Sequence, residues 1–220
     1  MFAYPERALF NRVLPKNKVY GHTQPSRALR RRFVDQVEEI VWRYKLSPET
    51  INLPASAEVK EIQVFSIALR TPQLKEDILR TLDRAIPSLL FFELTFQGRI
   101  RFAAAYKRMS EADQAKQVVA AYYLSPWQDA TAPRQPLPTA IDMASLYQQM
   151  LHRHMLLSGH TPRAEETLGE TAERGARIRA QEIACYRLEA RLRKEDQFNR
   201  KVEINAELRE ARAVLAKSKL

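Results

Sequence analysis

Glycine and cysteine are scarce in this chain of 220 residues, and their scarcity argues against several classes of function. The single cysteine, Cys185, can form neither an internal disulfide nor a cysteine cluster for zinc. Phosphate-binding loops and dinucleotide fingerprints need clustered glycines ahead of a helix, whereas the five glycines here are scattered. We therefore expect no intrinsic ATPase activity and no bound cofactor.

Long hydrophobic runs are also missing. The N-terminus is interrupted by Pro5, Glu6 and Arg7, so it does not resemble a secretory signal. No stretch approaches the roughly 20 apolar residues that a membrane span requires. These absences predict a cytoplasmic protein with no membrane partner.

Positive charge is abundant and uneven. The net charge is +10, and residues 1–50 carry ten Lys and Arg against five Asp and Glu. Such a field favours anionic partners, of which nucleic acid is the commonest. The candidate nucleic-acid-binding residues are Lys16, Lys18, Arg27, Arg30, Arg31 and Arg32. We expect DNA contact that does not depend on sequence; the alternative is incidental surface charge.

Hydrophobic periodicity predicts an α+β fold with a mixed four-stranded sheet and flanking helices. The clearest signal is a β-hairpin, in which apolar residues alternate on both sides of Gln97-Gly98. In chain order we predict helices at 6–14, 26–44 and 73–86, with strands at 59–69, 90–96, 100–106 and 118–124. A parallel crossover fits residues 59–96, although the strand order stays open.

Four prolines in residues 126–139 predict a linker after a core domain at 1–125. A helix and turn should follow at 140–175, and then a coiled-coil-like arm at 176–220. The arm contains no proline or glycine, which favours one continuous helix over a hairpin near Asp196. Apolar residues form a stripe along this arm, and Asn199 and Asn205 lie beside it. The candidate assembly residues are Leu188, Leu192, Phe198, Asn199, Val202, Asn205 and Leu208. The two asparagines either fix register or are simply solvated.

Few residues suggest catalysis. His152 and His154 point in different directions on a helix, so they cannot grip one metal, and no metal site is expected. Glu58 and Lys60, with Asp83 or Glu93 as a second acid, could form a metal-dependent nuclease site. Because a Glu-x-Lys triplet is common by chance, a solvated strand start is the simpler explanation of the pair. Glu93 interrupts an apolar strand, and a solvent-facing edge accounts for it.

Several phrases resemble an uncharacterised bacterial family classified as a domain of unknown function. The most specific are Lys45-Leu-Ser-Pro-Glu-Thr50 and Gln197-Phe-Asn-Arg-Lys-Val202. Others are Leu14-Pro-Lys16, Glu61-Ile-Gln-Val-Phe65, Asp83-Arg-Ala-Ile-Pro87 and Tyr106-Lys-Arg108. Such proteins are often encoded beside DNA methyltransferases and helicases of restriction or phage-defence loci, and the resemblance carries over no catalytic residue.

Three hypotheses follow. The first is a non-catalytic subunit that docks on a helicase or methyltransferase and contacts DNA. The second is a divergent metal-dependent nuclease. The third is a purely structural homo-oligomer assembled through the arm.

Overall fold

The computed structural model describes residues 2–109, 117–159, 163 and 166–219. The chain divides into two compact units, residues 1–161 and residues 162–220. The predicted helix after the proline-rich segment therefore belongs to the first unit, and the second unit begins before the predicted arm.

The first unit is built on a mixed sheet that has seven strands among the described residues, rather than the four predicted. Neighbouring strands are antiparallel except for the central parallel pair, β4 and β5, which the predicted crossover connects. The eighth strand pairs with the sixth, and the first pairs in parallel with the ninth, outside this sheet. The strands are β1 (Phe2–Ala3), β2 (Leu9–Val13), β3 (Val37–Leu46), β4 (Ile62–Leu69), β5 (Leu89–Phe96), β6 (Arg99–Met109), β7 (Gln117–Leu124), β8 (Gln128–Asp129) and β9 (Gln135–Pro136).

The helices are α1 (Lys16–Thr23), α2 (Arg27–Gln36), α3 (Pro48–Ile51), α4 (Glu76–Ala85), α5 (Met143–Leu157), α6 (Leu168–Lys194) and α7 (Phe198–Lys219). A 3-10 turn at Glu6–Ala8 precedes β2. Residues 6–14 therefore do not form the predicted helix.

Helices α1, α2 and α4 cover one face of the sheet. Their buried side chains include Val19, Phe33 and Leu82, which join Phe65 and Phe92 of the central strands in one core. Burying apolar surface of this kind is the main force that holds the layer in place. Helix α5 packs on β6 and β7. Because side chains alternate along a strand, α5 meets the face that carries Phe91, whose ring contacts Tyr147.

The predicted second helix ends eight residues early. Ser26 caps α2 by accepting a hydrogen bond from the Leu29 N–H, and the helix ends at Gln36. Residues 37–46 form β3, which pairs with β4. The β-branched and aromatic residues in this segment favour a strand. The spacing of its apolar residues, which predicted a helix, is compatible with either a helix or a strand. With β2 and β8, β3 is one of three strands that enlarge the sheet beyond the four predicted.

The C-terminal unit is a hairpin, so the prediction of one continuous helix is wrong. Helix α6 ends at Lys194 and α7 begins at Phe198. Ion pairs of Glu189 with Arg212 and of Arg191 with Glu207 align the two helices antiparallel. The Glu195 carboxylate accepts the N–H groups of Asp196 and Gln197, both at 3.1 Å. A local side chain therefore makes the turn without glycine or proline.

Candidate nucleic-acid interface and buried ion pairs

The four arginines of α2 are all exposed. Arg31 has 84% of its side chain exposed and makes only a long 3.8 Å contact to Asp35. Arg30 lies over the Tyr20 ring and donates to the Pro25 carbonyl at 3.2 Å. Arg32 forms an ion pair with Asp77 of α4. Arg27 and Arg31 are therefore the arginines best placed to reach an external phosphate.

The two predicted lysines differ. Lys18 is exposed on α1. Lys16 is half-buried and its Nζ donates to the Val37 carbonyl at 2.5 Å. Burial and the neighbouring Arg70 charge lower the pKa of Lys16. Lys16 thus ties α1 to the start of β3, which removes it from the best candidates for phosphate contact.

The side chain of Asp83 is almost fully buried, with 2% of it exposed. Lys107 of β6 forms a 2.8 Å ion pair with it and is itself only 7% exposed, and Tyr122 of β7 donates a hydrogen bond to it. Burial raises the pKa of the Asp83 carboxyl, although Lys107 and Tyr122 oppose the shift. These partners join the end of α4 to the sheet.

A second set of polar contacts extends from the Asp83–Lys107 ion pair along the same end of the sheet. The Lys107 Nζ also donates to the Ser88 carbonyl at 2.8 Å. The Ser88 hydroxyl donates to Glu61 at 2.8 Å, and Lys45 forms an ion pair with Glu61 at 3.2 Å. Burial acts to raise the pKa of Glu61, but hydrogen bonds from Gln63, Ser88 and Lys45 lower it overall. Each acid in this chain of contacts is matched by donors from neighbouring strands.

Glu93 does not face solvent, contrary to the prediction. It is 4% exposed in the middle of β5 and accepts two hydrogen bonds from the Arg134 guanidinium, at 2.8 and 3.2 Å. Arg134 also donates to the Phe2 carbonyl at 3.1 Å, next to the pairing of β1 with β9. This two-point pair links the proline-rich segment to the sheet.

In the described part of the chain, no hydrogen bond or ion pair joins the side chains of the predicted nuclease residues Glu58, Lys60 and Asp83 to one another. Glu58 and Lys60 are exposed in the loop before β4, which begins only at Ile62. Asp83 is instead engaged with Lys107 and Tyr122. Within the described ranges, no group of three His, Cys, Asp or Glu residues is arranged to hold a metal ion.

The predicted assembly residues divide into two groups. Leu208 is buried, and Leu188 and Leu192 are half-buried in a hairpin whose two helices pack on each other. Phe198 and Val202 are 77% and 54% exposed, and Asn199 and Asn205 are exposed as well. The hairpin itself thus covers the leucines, whereas the apolar pair and both asparagines are exposed on this chain.

Fold and site together define an α+β protein with a basic helical surface, buried structural ion pairs and a C-terminal helical hairpin. The chain belongs to the family described as domain of unknown function DUF4391, which matches residues 2–215. No curated protein and no solved structure matches this chain significantly. None of the helices in the described part of the chain has the length and apolarity needed to cross a membrane.

Proposed function

We propose that this protein is a non-catalytic accessory subunit of a bacterial restriction or phage-defence complex. It docks on a helicase or methyltransferase and contacts DNA through α2. The observation that carries the DNA contact is the set of four exposed arginines on one short helix. The docking partner is supported by the resemblance of the sequence phrases to one family, whose members are often encoded in such loci.

The charges around α2 suit an anionic partner such as the phosphates of DNA. Asp35 and Asp77 each pair with one arginine, which leaves the surface net positive. Arginine binds phosphate through a planar fork of N–H donors, and such contacts position a protein on DNA without reading its sequence. The expected binding is therefore weak and independent of sequence.

The buried acids support structural roles rather than catalysis. Asp83 and Glu93 are each held by a cation and lie at 2% and 5% side-chain exposure. A substrate would have to displace those cations before it reached either carboxylate. Metal-dependent cleavage that is lost in both Glu58→Ala and Lys60→Ala would overturn this part of the proposal in favour of a nuclease.

The proposal is tested with duplex DNA and the Arg27→Glu/Arg31→Glu variant. Each change reverses an exposed charge without separating Arg32 from Asp77. The matched control is Arg187→Glu/Lys217→Glu, which reverses two exposed charges on the C-terminal hairpin. Fluorescence anisotropy near 50 mM salt should show at least a tenfold loss for the α2 variant and little change for the control. Equal losses in both would mean that net charge, not α2, produces the binding.

Partner docking is tested separately by co-expression with neighbouring helicase and methyltransferase genes. The full-length protein should retain one of these subunits through purification in high salt, where DNA-mediated association is removed. Retention of neither subunit would contradict the accessory role while leaving the DNA contact intact.

A further inference from the structure

The tip of the C-terminal hairpin, residues 191–202, exposes an aromatic ring. Phe198 begins α7 directly after the turn and is 77% exposed. Val202 lies one helical turn later on the same side and is 54% exposed. Burial of an aromatic side chain is among the larger stabilising gains open to a single residue. The exposed pair therefore leaves apolar surface that a partner could bury.

The same tip is strongly basic. Residues 191–202 contain five Lys and Arg against two Asp and Glu, and the first turn of α7 contains no acid. Lys194 at the end of α6 and Arg200 and Lys201 in the first turn of α7 are exposed, and Lys201 lies one helical turn after the ring. The ion pairs of Arg191 and Arg193 with Glu207 and Glu189 are long, at 3.8 and 4.0 Å. Charge complementarity therefore points to an anionic partner.

We propose that the hairpin tip binds single-stranded nucleic acid, with Phe198 stacking on a base and Lys194, Arg200 and Lys201 contacting phosphates. An exposed ring among cations is the combination that proteins use for single strands, because every base presents a face for stacking. In a duplex the bases already stack on one another, so the ring would have no surface to cover. The tip belongs to the second compact unit and α2 to the first, and this proposal does not depend on the duplex contact proposed for α2.

The test uses the full chain and a fluorescein-labelled oligothymidylate of about 12 nucleotides. Phe198→Ala should weaken binding between about 5-fold and about 150-fold, the range expected for loss of one stacked base. Phe198→Trp should retain the affinity, because its ring can stack equally well. Tyr186→Ala is the matched control, since Tyr186 is 68% exposed on α6, away from the tip.

A second readout reports stacking directly. An oligonucleotide that contains 2-aminopurine should lose fluorescence on binding to the wild-type protein and to Phe198→Trp, but not on binding to Phe198→Ala. The Arg27→Glu/Arg31→Glu variant should show the same quenching at saturation, which separates this proposal from the duplex contact.

Two results would overturn the proposal. One is equal single-strand affinity of Phe198→Ala and the wild-type protein. The other is an equal loss in Tyr186→Ala.

Discussion

Replacing Lys107 by methionine should destabilise the first unit strongly at neutral pH. Lys107 is 7% exposed and forms a 2.8 Å ion pair with Asp83, which is 2% exposed. Methionine keeps much of the apolar stem but leaves a buried carboxylate without its cation. Removing one partner of a buried pair costs about 3–5 kcal/mol, a large part of the roughly 5–15 kcal/mol of a folded domain.

The loss of stability caused by Lys107→Met should become smaller as pH falls. Burial already raises the pKa of Asp83 in the folded protein, and loss of Lys107 removes a charge that opposes this shift. The folded variant therefore binds a proton at a pH where the unfolded chain does not. Its deficit relative to the wild-type protein should shrink as pH falls from 7 toward 5.

The assay is urea unfolding followed by circular dichroism, with variant and wild-type protein compared at each pH so that other titrations common to both largely cancel. The control is Asp83→Leu/Lys107→Met, which removes both charges and should recover most of the lost stability. A loss below about 1 kcal/mol at pH 7 would refute the reasoning. So would a double variant that is no more stable than Lys107→Met.

Two further predictions concern the other buried groups. Burial lowers the pKa of His154 to about 4 in the folded protein. As pH falls below about 6.5, the imidazole is therefore protonated in the unfolded chain before it is protonated in the folded one, which favours unfolding. Wild-type stability should drop by about 3 kcal/mol between pH 6.5 and 4 from this residue, and His154→Phe should flatten that decline in urea unfolding; an unchanged pH profile would contradict it. Arg134→Met should cost about 2 kcal/mol at pH 7 because Glu93 loses its partner, less than for Lys107 since 31% of the Arg134 side chain is exposed. Glu93→Gln/Arg134→Met should be more stable than Arg134→Met, and the reverse order would show that Glu93 is stabilised by other means.

Strong local patterns made part of the fold predictable. The β5–β6 hairpin and α4 follow from alternation around Gln97-Gly98 and from apolar residues four apart, and the structure confirms both. The parallel pairing of β4 with β5 is confirmed as well. Each of these elements has a period or turn signal contained within its own residues.

The errors arose where one pattern fits two structures. Val37, Ile40, Val41 and Tyr44 suit a helical stripe, but β-branched and aromatic residues in a sheet setting form β3 instead. The hairpin turn depends on hydrogen bonds from one glutamate, which residue composition does not reveal.

The partners of the buried acids were beyond local reasoning. Tyr122 lies 39 residues from Asp83, and Arg134 lies 41 residues from Glu93. Neither spacing has a local signature. The sequence alone therefore suggests a possible nuclease acid at Asp83 and a solvent-facing strand edge at Glu93. An acid inside an otherwise apolar strand was the one signal that could have suggested a buried ion pair at Glu93.

The salt dependence of duplex binding tests the central claim most directly. Each phosphate contact adds about 0.9 to the slope of log affinity against log salt. The Arg27→Glu/Arg31→Glu variant should therefore show a slope shallower by about 2 than the wild-type protein, while Arg187→Glu/Lys217→Glu keeps the wild-type slope. Equal slopes in all three proteins, or no duplex binding near 50 mM salt by the protein alone or with its partner subunit, would contradict the assignment of α2 as the DNA-contacting surface.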